Sequence, residues 1–320
     1  MSRAPLLSVQ RLVKHYPHQP GLLRRTEGWV RAVDDVSFDL LPSDTVGLVG
    51  ESGCGKSTLA KLLVGLLAPT NGAILFNGHP LSSFSREHWQ AFRRSVQVIF
   101  QSPMLSFNPR MTIGESLAEP LVVQRVATGA ALRQRVSGLL SEVGLEPSLA
   151  TRFPSELSGG QRQRAAIARA LALKPALIIC DEPVASLDLS VQRQVLELLD
   201  RLQRDHGITY LFISHHLGVV STLAHRVLVM YLGRIVEQAE NPAIFQNPRH
   251  PYTQALVASV SGWTLPLARP SILGEPASAL AVPAGCRFHP RCPIAESRCR
   301  TDDPTLAPRA GGRVSACHLA

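Results

Sequence analysis

The chain has 320 residues, of which 45% are apolar, and a net charge of +9. This size and composition predict a globular protein with one sizeable core and a second, smaller unit. Its longest uncharged apolar runs, 176–180 and 227–233, are far shorter than the roughly 20 residues that cross a bilayer, and the first residues lack the apolar core of a signal peptide. We therefore expect a cytosolic chain with reduced thiols and no membrane span. The net charge does not indicate whether the chain binds nucleic acid, binds an anionic membrane or has no anionic partner, because the basic residues are scattered.

The first 40 residues alternate in the manner of β-strands. Leu7–Gln10 and Val33–Phe38 flank a stretch rich in Pro, Gly and Arg, from Pro17 to Gly28. This pattern predicts an antiparallel β layer. Tyr16 lies at the end of the first strand, some 40 residues before Lys56. Its ring could stack on adenine, and ordinary strand packing is the alternative.

Residues 50–58 fit the phosphate-loop pattern G-x-x-x-x-G-K-[ST]. The context agrees, because 45–49 predicts an apolar strand and 58–67 a helix with leucines 59, 62, 63 and 66 on one face. Backbone NH groups of such a loop cradle phosphates, and the helix adds its positive N-terminal end. The residues predicted to bind the nucleotide here are Gly50, Ser52, Gly53, Cys54, Gly55, Lys56, Ser57 and Thr58. Lys56 should reach the β- and γ-phosphates, and the Ser57 hydroxyl should ligate Mg²⁺.

Beyond this loop the pattern predicts a strand over 73–77, a helix over 86–94 and a buried strand over 95–100 that ends at Gln101. From 102 to about 173 the pattern is helical, and the segments 113–123 and 130–143 are amphipathic. We expect a helical insert rather than a continuation of the sheet.

The sequence Leu-Ser-Gly-Gly-Gln at 157–161 precedes a run rich in alanine and arginine. Ser158 can cap the helix that begins at the glycines, and a plain capped helix start is the alternative to a functional role. Two glycines leave the first NH groups bare for close approach to a phosphate. Besides Ser158, Gly160 is therefore a second candidate for contact with a nucleotide phosphate.

Two later strands end in polar side chains. The apolar run 176–180 leads to Asp181 and Glu182, and the run 209–213 leads to His215. Because ligands bind at the carboxyl ends of parallel strands, we expect Asp181 to help hold Mg²⁺ and Glu182 to polarise the attacking water. Cys180 is expected to be a small buried filler. Asp188 precedes a helix predicted over 190–205.

In this order, the motifs resemble those of the ATP-binding-cassette (ABC) ATPases over about residues 6–261. The resemblance implies an α/β P-loop NTPase with a RecA-like parallel sheet core, an antiparallel β layer and a helical subdomain. It implies that Tyr16 stacks on adenine, Gln101 senses Mg²⁺ and the transmembrane partner, Glu182 is the general base and His215 contacts the γ-phosphate. The implied catalytic residues are Glu182, His215 and Gln101. The implied Mg²⁺ ligands are Ser57, Gln101 and Asp181. The further residues implied to bind ATP are Gln101, Ser158, Gly160, Asp181 and Asp188.

Two segments, 100–110 and 247–253, are similar to those of the oligopeptide, dipeptide and nickel importers, with the closest likeness to the second ATPase subunit of dipeptide permeases. Phe107 stands where leucine is usual. Neither segment senses the cargo, so the substrate follows from family association alone.

The last 60 residues contain eight prolines and twelve large apolar side chains, too few for an independent core. They also carry Cys286, Cys292, Cys299 and Cys317, without the paired C-x2-C spacing that is typical of a zinc ribbon. Four thiolates suit a [4Fe-4S] cluster, which some of the similar peptide-importer ATPases carry, and four unliganded thiols are the alternative. We expect one domain at 1–260, with the helical subdomain at about 102–173, and a second domain at 261–320. Because the phosphate loop and the four cysteines would then lie in different domains, ATP binding should survive the loss of a cysteine.

The resemblance implies an ATP-hydrolysing subunit of a bacterial importer of dipeptides or oligopeptides, with nickel, glutathione or another small solute as the alternative cargo. The expected partners are a second, paralogous ATPase that contributes the facing signature, two transmembrane permease subunits and an extracytoplasmic solute-binding protein. Nucleic acid is not expected, because the long coiled coils of chromosome-type ATPases are missing. A translation factor with two cassettes and a non-catalytic scaffold are also disfavoured. The expected location is the cytoplasmic face of the plasma membrane.

Overall fold

The computed structural model describes residues 4–19, 27–259, 272, 274–275, 277–309 and 313–320. Its strands are β1 (Leu7–His18), β2 (Gly28–Leu40), β3 (Thr45–Val49), β4 (Asn71–Phe76), β5 (His79–Pro80), β6 (Val96–Ile99), β7 (Leu177–Asp181), β8 (Thr209–Ser214), β9 (Arg226–Tyr231), β10 (Arg234–Glu240), β11 (Ala307–Arg309) and β12 (Arg313–Ser315). Its α-helices are α1 (Lys56–Leu63), α2 (Arg86–Ser95), α3 (Ile113–Val123), α4 (Gly129–Glu142), α5 (Gly159–Leu171), α6 (Leu189–His206), α7 (Leu217–Leu223), α8 (Ala243–Gln246), α9 (Pro251–Ala258) and α10 (Arg298–Thr301). Short 3₁₀ helices span Leu81–Ser83, Pro103–Ser106, Pro147–Thr151, Pro154–Glu156 and His289–Arg291.

The chain divides into two compact units. The first comprises Met1–Leu41, Thr45–Ser83 and Ile213–Ala320, and the second comprises Pro42–Asp44 and Phe84–Phe212. The division falls inside β8, and the predicted domain boundary at 260/261 lies outside the described residues.

The first unit contains two β arrangements. β1 pairs antiparallel with both β2 and β4, which confirms the antiparallel β layer expected near the N-terminus. β3 runs parallel to β9, and β9, β10 and β12 follow one another as antiparallel neighbours. Every residue of β3 is buried, so the strand before the phosphate loop lies in the core.

The C-terminal tail is part of this same unit. β12 pairs antiparallel with β10, where Ser315 lies opposite Glu237, and β11 pairs antiparallel with β12. A sheet partner thus supplies backbone hydrogen bonds to a segment that has few apolar residues of its own. This placement differs from the expectation that the phosphate loop and the tail lie in different units.

The second unit combines parallel strands with helices. β6 and β7 are parallel neighbours, and Leu177–Cys180 is completely buried, which confirms Cys180 as a core filler. The helices α3 to α5 lie between β6 and β7 in the chain and pack on one another, as expected for a helical insert. A Thr112–Glu115 capping box fixes the start of α3 at the predicted residue.

The first helix after the phosphate loop is shorter than its leucine pattern predicts. α1 ends at Leu63, and Gly65 adopts a left-handed φ of 74°. Such a glycine terminates a helix because it needs no Cβ in that conformation. Leu66, predicted to share the buried face, is 62% exposed. None of the helices in the described ranges is long and apolar enough to cross a membrane.

Candidate nucleotide site

The phosphate loop joins β3 to α1, in the predicted order of strand, loop and helix. Gly55 has a φ of 112°, and a Cβ at this position would lie 2.0 Å from the carbonyl oxygen of Ala32. Only glycine therefore fits here without a shift of backbone. No side chain caps the start of α1, and the N-terminal end of a helix favours an anion.

Lys56 is held inside this loop. Its side chain is 6% exposed, and Nζ donates to the carbonyl oxygens of Gly50 at 2.7 Å and of Glu51 at 2.9 Å. The Sγ atom of Cys54 lies 3.8 Å from the same Nζ. Burial raises the pKa of the Cys54 thiol, although the charge of Lys56 opposes the shift. The loop thus presents one buried cation and a neutral thiol, with Ser52, Gly53 and Ser57 exposed beside them.

The base-stacking candidate, Tyr16, lies on β1 opposite Val30 of β2. Its side chain is half-buried, and the Nζ atom of Lys14 lies 5.2 Å from its ring centroid. His215 follows β8 and is exposed. Both residues belong to the first unit, together with the phosphate loop.

In the second unit, the structure brings Gln101 and Glu182 together. Gln101 follows β6 and Glu182 follows the parallel neighbour β7, so both side chains leave the same end of this strand pair. The Gln101 amide Nε2 donates to a Glu182 carboxylate oxygen at 3.0 Å. Glu182 has a φ of 50°, in the left-handed region that residues other than glycine seldom adopt. Asp181, the preceding residue, ends β7 and is half-buried.

The glycines at the start of α5 also have a structural role. Ser158 accepts a hydrogen bond from the Gln161 backbone NH, and the Gln161 side chain accepts one from the Ser158 NH, so the two form a capping box. A Cβ on Gly160 would lie 2.7 Å from a methyl carbon of Val191 on α6. The second glycine therefore permits close packing of two helices. Asp188, the N-cap residue of α6, is exposed and makes no side-chain cap bond.

The four tail cysteines converge. Cys286, Cys292, Cys299 and Cys317 all line one cavity of about 10 Å³, and none of them forms a disulfide. Burial raises the pKa of Cys286 to about 11 and also raises the pKa values of Cys292 and Cys317. Across the part of the chain that the structure describes, no group of three or more His, Cys, Asp or Glu side chains is arranged to hold a metal ion.

Two further side chains contact the phosphate loop and were not expected from the sequence. Arg291, in the tail, forms an ion pair with Glu51, and Tyr252 accepts a hydrogen bond from the Glu51 backbone NH. Tyr252 lies in the segment 247–253, which in the sequence indicates only a subfamily. The opposite charges of Glu51 and Arg291 were the one available signal, and 240 residues separate them.

Comparison with known protein families agrees with the nucleotide site that the phosphate loop indicates. Residues 33–185 match the ABC transporter family, and residues 236–299 match the C-terminal region of oligopeptide/dipeptide transporters. A probable peptide ABC transporter ATP-binding protein, y4tS of Sinorhizobium fredii, is 48% identical over 98% of this chain and 90% of its own length. The chain belongs to the ABC transporter ATP-binding proteins. It hydrolyses ATP in a reaction coupled to transport, and its partners are membrane permease subunits.

Further relatives of this ABC protein, and solved structures of similar proteins, agree with this family. The oligopeptide transport ATP-binding protein AppF of Bacillus subtilis is 44% identical over 98% of the chain and 97% of its own length. The glutathione import ATP-binding protein GsiA of Escherichia coli is 51% identical over 83% of the chain, which spans 42% of GsiA. The dimeric, post-hydrolysis structure of the cassette MJ0796 bound to ADP and Pi superposes with a TM-score of 0.65 and 27% identity, over 73% of this chain and 98% of that one. The structure of cbiO1 from Clostridium perfringens has a TM-score of 0.63 and 29% identity, over 75% and 89% of the two chains. The P-loop NTPase fold of the ABC type is thereby confirmed.

Proposed function

We propose that this ABC ATPase drives the uptake of dipeptides or oligopeptides by a bacterial importer. The similarity that carries the proposal is the one to the probable peptide transporter subunit y4tS, which extends over 98% of the chain. The match of residues 236–299 to the oligopeptide/dipeptide C-terminal region supports the same cargo. Glutathione, a modified tripeptide, is the second candidate because of the 51% identity to GsiA.

The proposed assembly contains a second, paralogous ATPase, two permease subunits and an extracytoplasmic solute-binding protein, without nucleic acid. It lies at the cytoplasmic face of the plasma membrane. Support for two ATPase chains comes from the dimeric structures of MJ0796. In this arrangement, Ser158 and Gly160 of one chain contact ATP held by the other, and Asp188 lies beside them.

The proposed roles of the nucleotide-binding and Mg²⁺-binding residues follow from their chemistry. Lys56 supplies the cation for the β- and γ-phosphates, and the backbone of residues 50–58 supplies NH donors. Tyr16 stacks on adenine through a face of its ring, and His215 contacts the γ-phosphate. Mg²⁺ fits the proposed donor set, because Ser57, Gln101 and Asp181 all offer the oxygen ligands that this ion prefers. When bound, it neutralises charge on the phosphates.

Glu182 is the proposed general base. Its carboxylate accepts the proton of the attacking water, and the hydrogen bond from Gln101 orients that carboxylate. The left-handed φ of Glu182 supports the assignment, since backbone strain of this kind clusters at functional sites.

We also propose that Cys286, Cys292, Cys299 and Cys317 hold one [4Fe-4S] cluster within a C-terminal domain at 261–320, adjoining the ATP-binding domain at 1–260 and its helical subdomain at about 102–173. Four thiolates are the usual ligands of this cluster and all four cysteines line one cavity, although among the described residues their side chains are not arranged to hold a metal ion. Metal–thiolate bonds would add folding energy to a tail that has few apolar residues.

The test of the cluster is anaerobic purification followed by iron and sulfide analysis. We expect stoichiometric iron and sulfide in the parent protein and in Cys180→Ala, which removes a thiol from the core strand β7, and a loss in Cys292→Ala. Stoichiometric zinc, or no metal, in the parent protein would contradict the proposal.

The test of the transport function is co-purification from membranes followed by reconstitution into vesicles. We expect the chain to bring two permease subunits and a second ATPase, and the vesicles to take up labelled dipeptide in an ATP-dependent manner. Uptake of labelled glutathione or nickel in place of peptides would identify the alternative cargo. Absence of any membrane subunit would refute an importer.

A further inference from the structure

We propose that Arg291 and Tyr252 are positioning residues of the ATP site, which hold the phosphate loop from its outer side through Glu51. The two terminal guanidinium nitrogens of Arg291, Nη1 and Nη2, donate to the two carboxylate oxygens of Glu51, at 2.7 and 2.9 Å. The hydroxyl oxygen of Tyr252 accepts the Glu51 backbone NH at 2.8 Å. This proposal rests on the nucleotide site described above and extends that site to the C-terminal tail.

The ion pair has the features of a strong one. Arg291 is 6% exposed, and its guanidinium lies 5.8 Å from the ring centroid of Tyr231. Two parallel, charge-assisted hydrogen bonds fix the orientation of both side chains, and partial burial limits screening by salt. The hydrogen bond to Glu51 also raises the pKa of Arg291, although burial opposes the shift. Glu51 therefore has one preferred position.

The second anchor is equally rigid. Tyr252 is completely buried, and its ring centroid lies 4.7 Å from that of Tyr231 and 5.5 Å from that of Phe288. An aromatic cluster with the density of a core cannot move its hydroxyl without repacking. The backbone NH of Glu51 is thus bound outside the loop, while its carbonyl oxygen accepts from Lys56.

Consequently one loop residue connects three groups: the tail arginine, the buried tyrosine and the lysine that faces the phosphates. Freeing Glu51 would let the first half of the loop move, together with the carbonyl oxygen that holds the Lys56 ammonium. ATP would then have to order the loop as it binds, and that ordering lowers affinity.

The position of Arg291 depends in turn on the cysteines. Arg291 ends the 3₁₀ turn His289–Arg291, in which the His289 NH donates to the carbonyl of Cys286 at 3.0 Å and the Cys292 NH donates to the carbonyl of His289 at 3.3 Å. Cysteines therefore flank the turn that presents the arginine. Order in the cysteine cavity and order in the phosphate loop are coupled through this turn, in contrast to the expectation from the sequence that ATP binding survives the loss of a cysteine.

The experiment measures equilibrium binding of a fluorescent ATP analogue to the full-length chain. Arg291→Met keeps the apolar volume and removes the charge, and Glu51→Gln removes the other partner. We expect each single variant to raise Kd by about 5- to 30-fold, the range typical of coupling between linked sites. The double variant should lose no more than the more affected single variant, and Arg291→Lys should recover part of the affinity because it retains a charge but not the fork. Arg300→Ala, an exposed tail arginine, should bind like the parent.

Thermal unfolding of the same samples separates positioning from folding. Arg291→Met with a lower Tm but an unchanged Kd would show a purely structural residue and would overturn the proposal, as would losses that multiply in the double variant. If Arg291→Met does not fold, Tyr252→Phe, which removes only the hydroxyl, decides the question. A rise in Kd by about 2- to 10-fold supports the proposal, and an unchanged Kd overturns it. Failure to transport peptides would count against the proposed cargo alone, because the readout here is nucleotide affinity.

Discussion

Glu182 combines two local features that bear on hydrolysis. Its φ of 50° turns the chain sharply after β7, and its carboxylate accepts the Gln101 amide at 3.0 Å. A non-glycine residue in this region costs of order 1–3 kcal/mol and persists only where the surroundings enforce it. The buried strand β7 before it provides that enforcement.

Glu182→Gln should keep ATP binding and lower turnover by about 10²- to 10⁴-fold, the usual contribution of a positioned general base. The glutamine has nearly the same size and can still bond to Gln101, but it cannot take a proton. Steady-state phosphate release in the assembled complex is the measurement. Glu197→Gln, on the exposed face of α6, is the matched control, and equal rates in Glu182→Gln and the parent would eliminate the role.

Tyr16→Ala should weaken ATP and GTP alike by about 1–3 kcal/mol, because stacking uses a π face that every base has. Binding titrations with both nucleotides measure the effect. Tyr16→Phe retains the ring and should bind like the parent. A loss confined to one base would instead indicate hydrogen-bonded readout.

At the level of helices, caps and glycines decide where elements begin and end. Gly65 ends α1 two residues after Leu63, and the capping box of Ser158 and Gln161 starts α5. Gly160 lets α5 approach Val191 of α6. The signature segment therefore has a folding role besides the proposed contact with a partner's ATP.

Ser158→Ala should lower the free energy of unfolding by about 0.5–2 kcal/mol, because it leaves the Gln161 backbone NH without its side-chain acceptor. Ser158→Asn, which preserves a good N-cap, should be nearly as stable as the parent. Denaturant titrations measure both. If Ser158→Asn is stable but slow in ATP hydrolysis, the functional contact is separated from the cap; equal stability of Ser158→Ala and the parent would refute the capping role.

For the complete chain, the main organising fact is that the tail belongs to the unit of the phosphate loop. β12 adds to β10, Arg287 forms an ion pair with Asp34, and Arg291 forms one with Glu51. Burial would raise the pKa of Asp34, but the hydrogen bond and charge of Arg287, with His15 and Arg234, outweigh it and lower the pKa. The tail is thus attached at several places along the first unit.

The isolated chain should be a poor ATPase, because its site lacks the signature of a second chain. Phosphate release measured against protein concentration should rise only where dimers or complexes form. Addition of the permease subunits and the paralogous ATPase should restore the rate. Full activity from a strictly monomeric sample would contradict the head-to-tail arrangement.

Local sequence patterns predicted the elements that depend on neighbouring residues. The strand at Thr45–Val49, the α3 helix at Ile113–Val123 and the cap at Ser158 all follow from side chains a few positions apart. Hydrophobic period and capping chemistry act within one turn of helix or one strand, so the chain order alone reveals them. The motif set that indicated the family has the same local character.

Contacts between distant segments required the tertiary structure. The partners Glu51 and Arg291 are 240 residues apart, and no periodicity or spacing relates them. Composition predicted that the tail needs help from outside its own core, but only the packed chain shows β10 and the phosphate loop as the surfaces that provide it. The physical reason is that long-range pairs depend on how all the elements pack together, whereas local propensities leave that choice open.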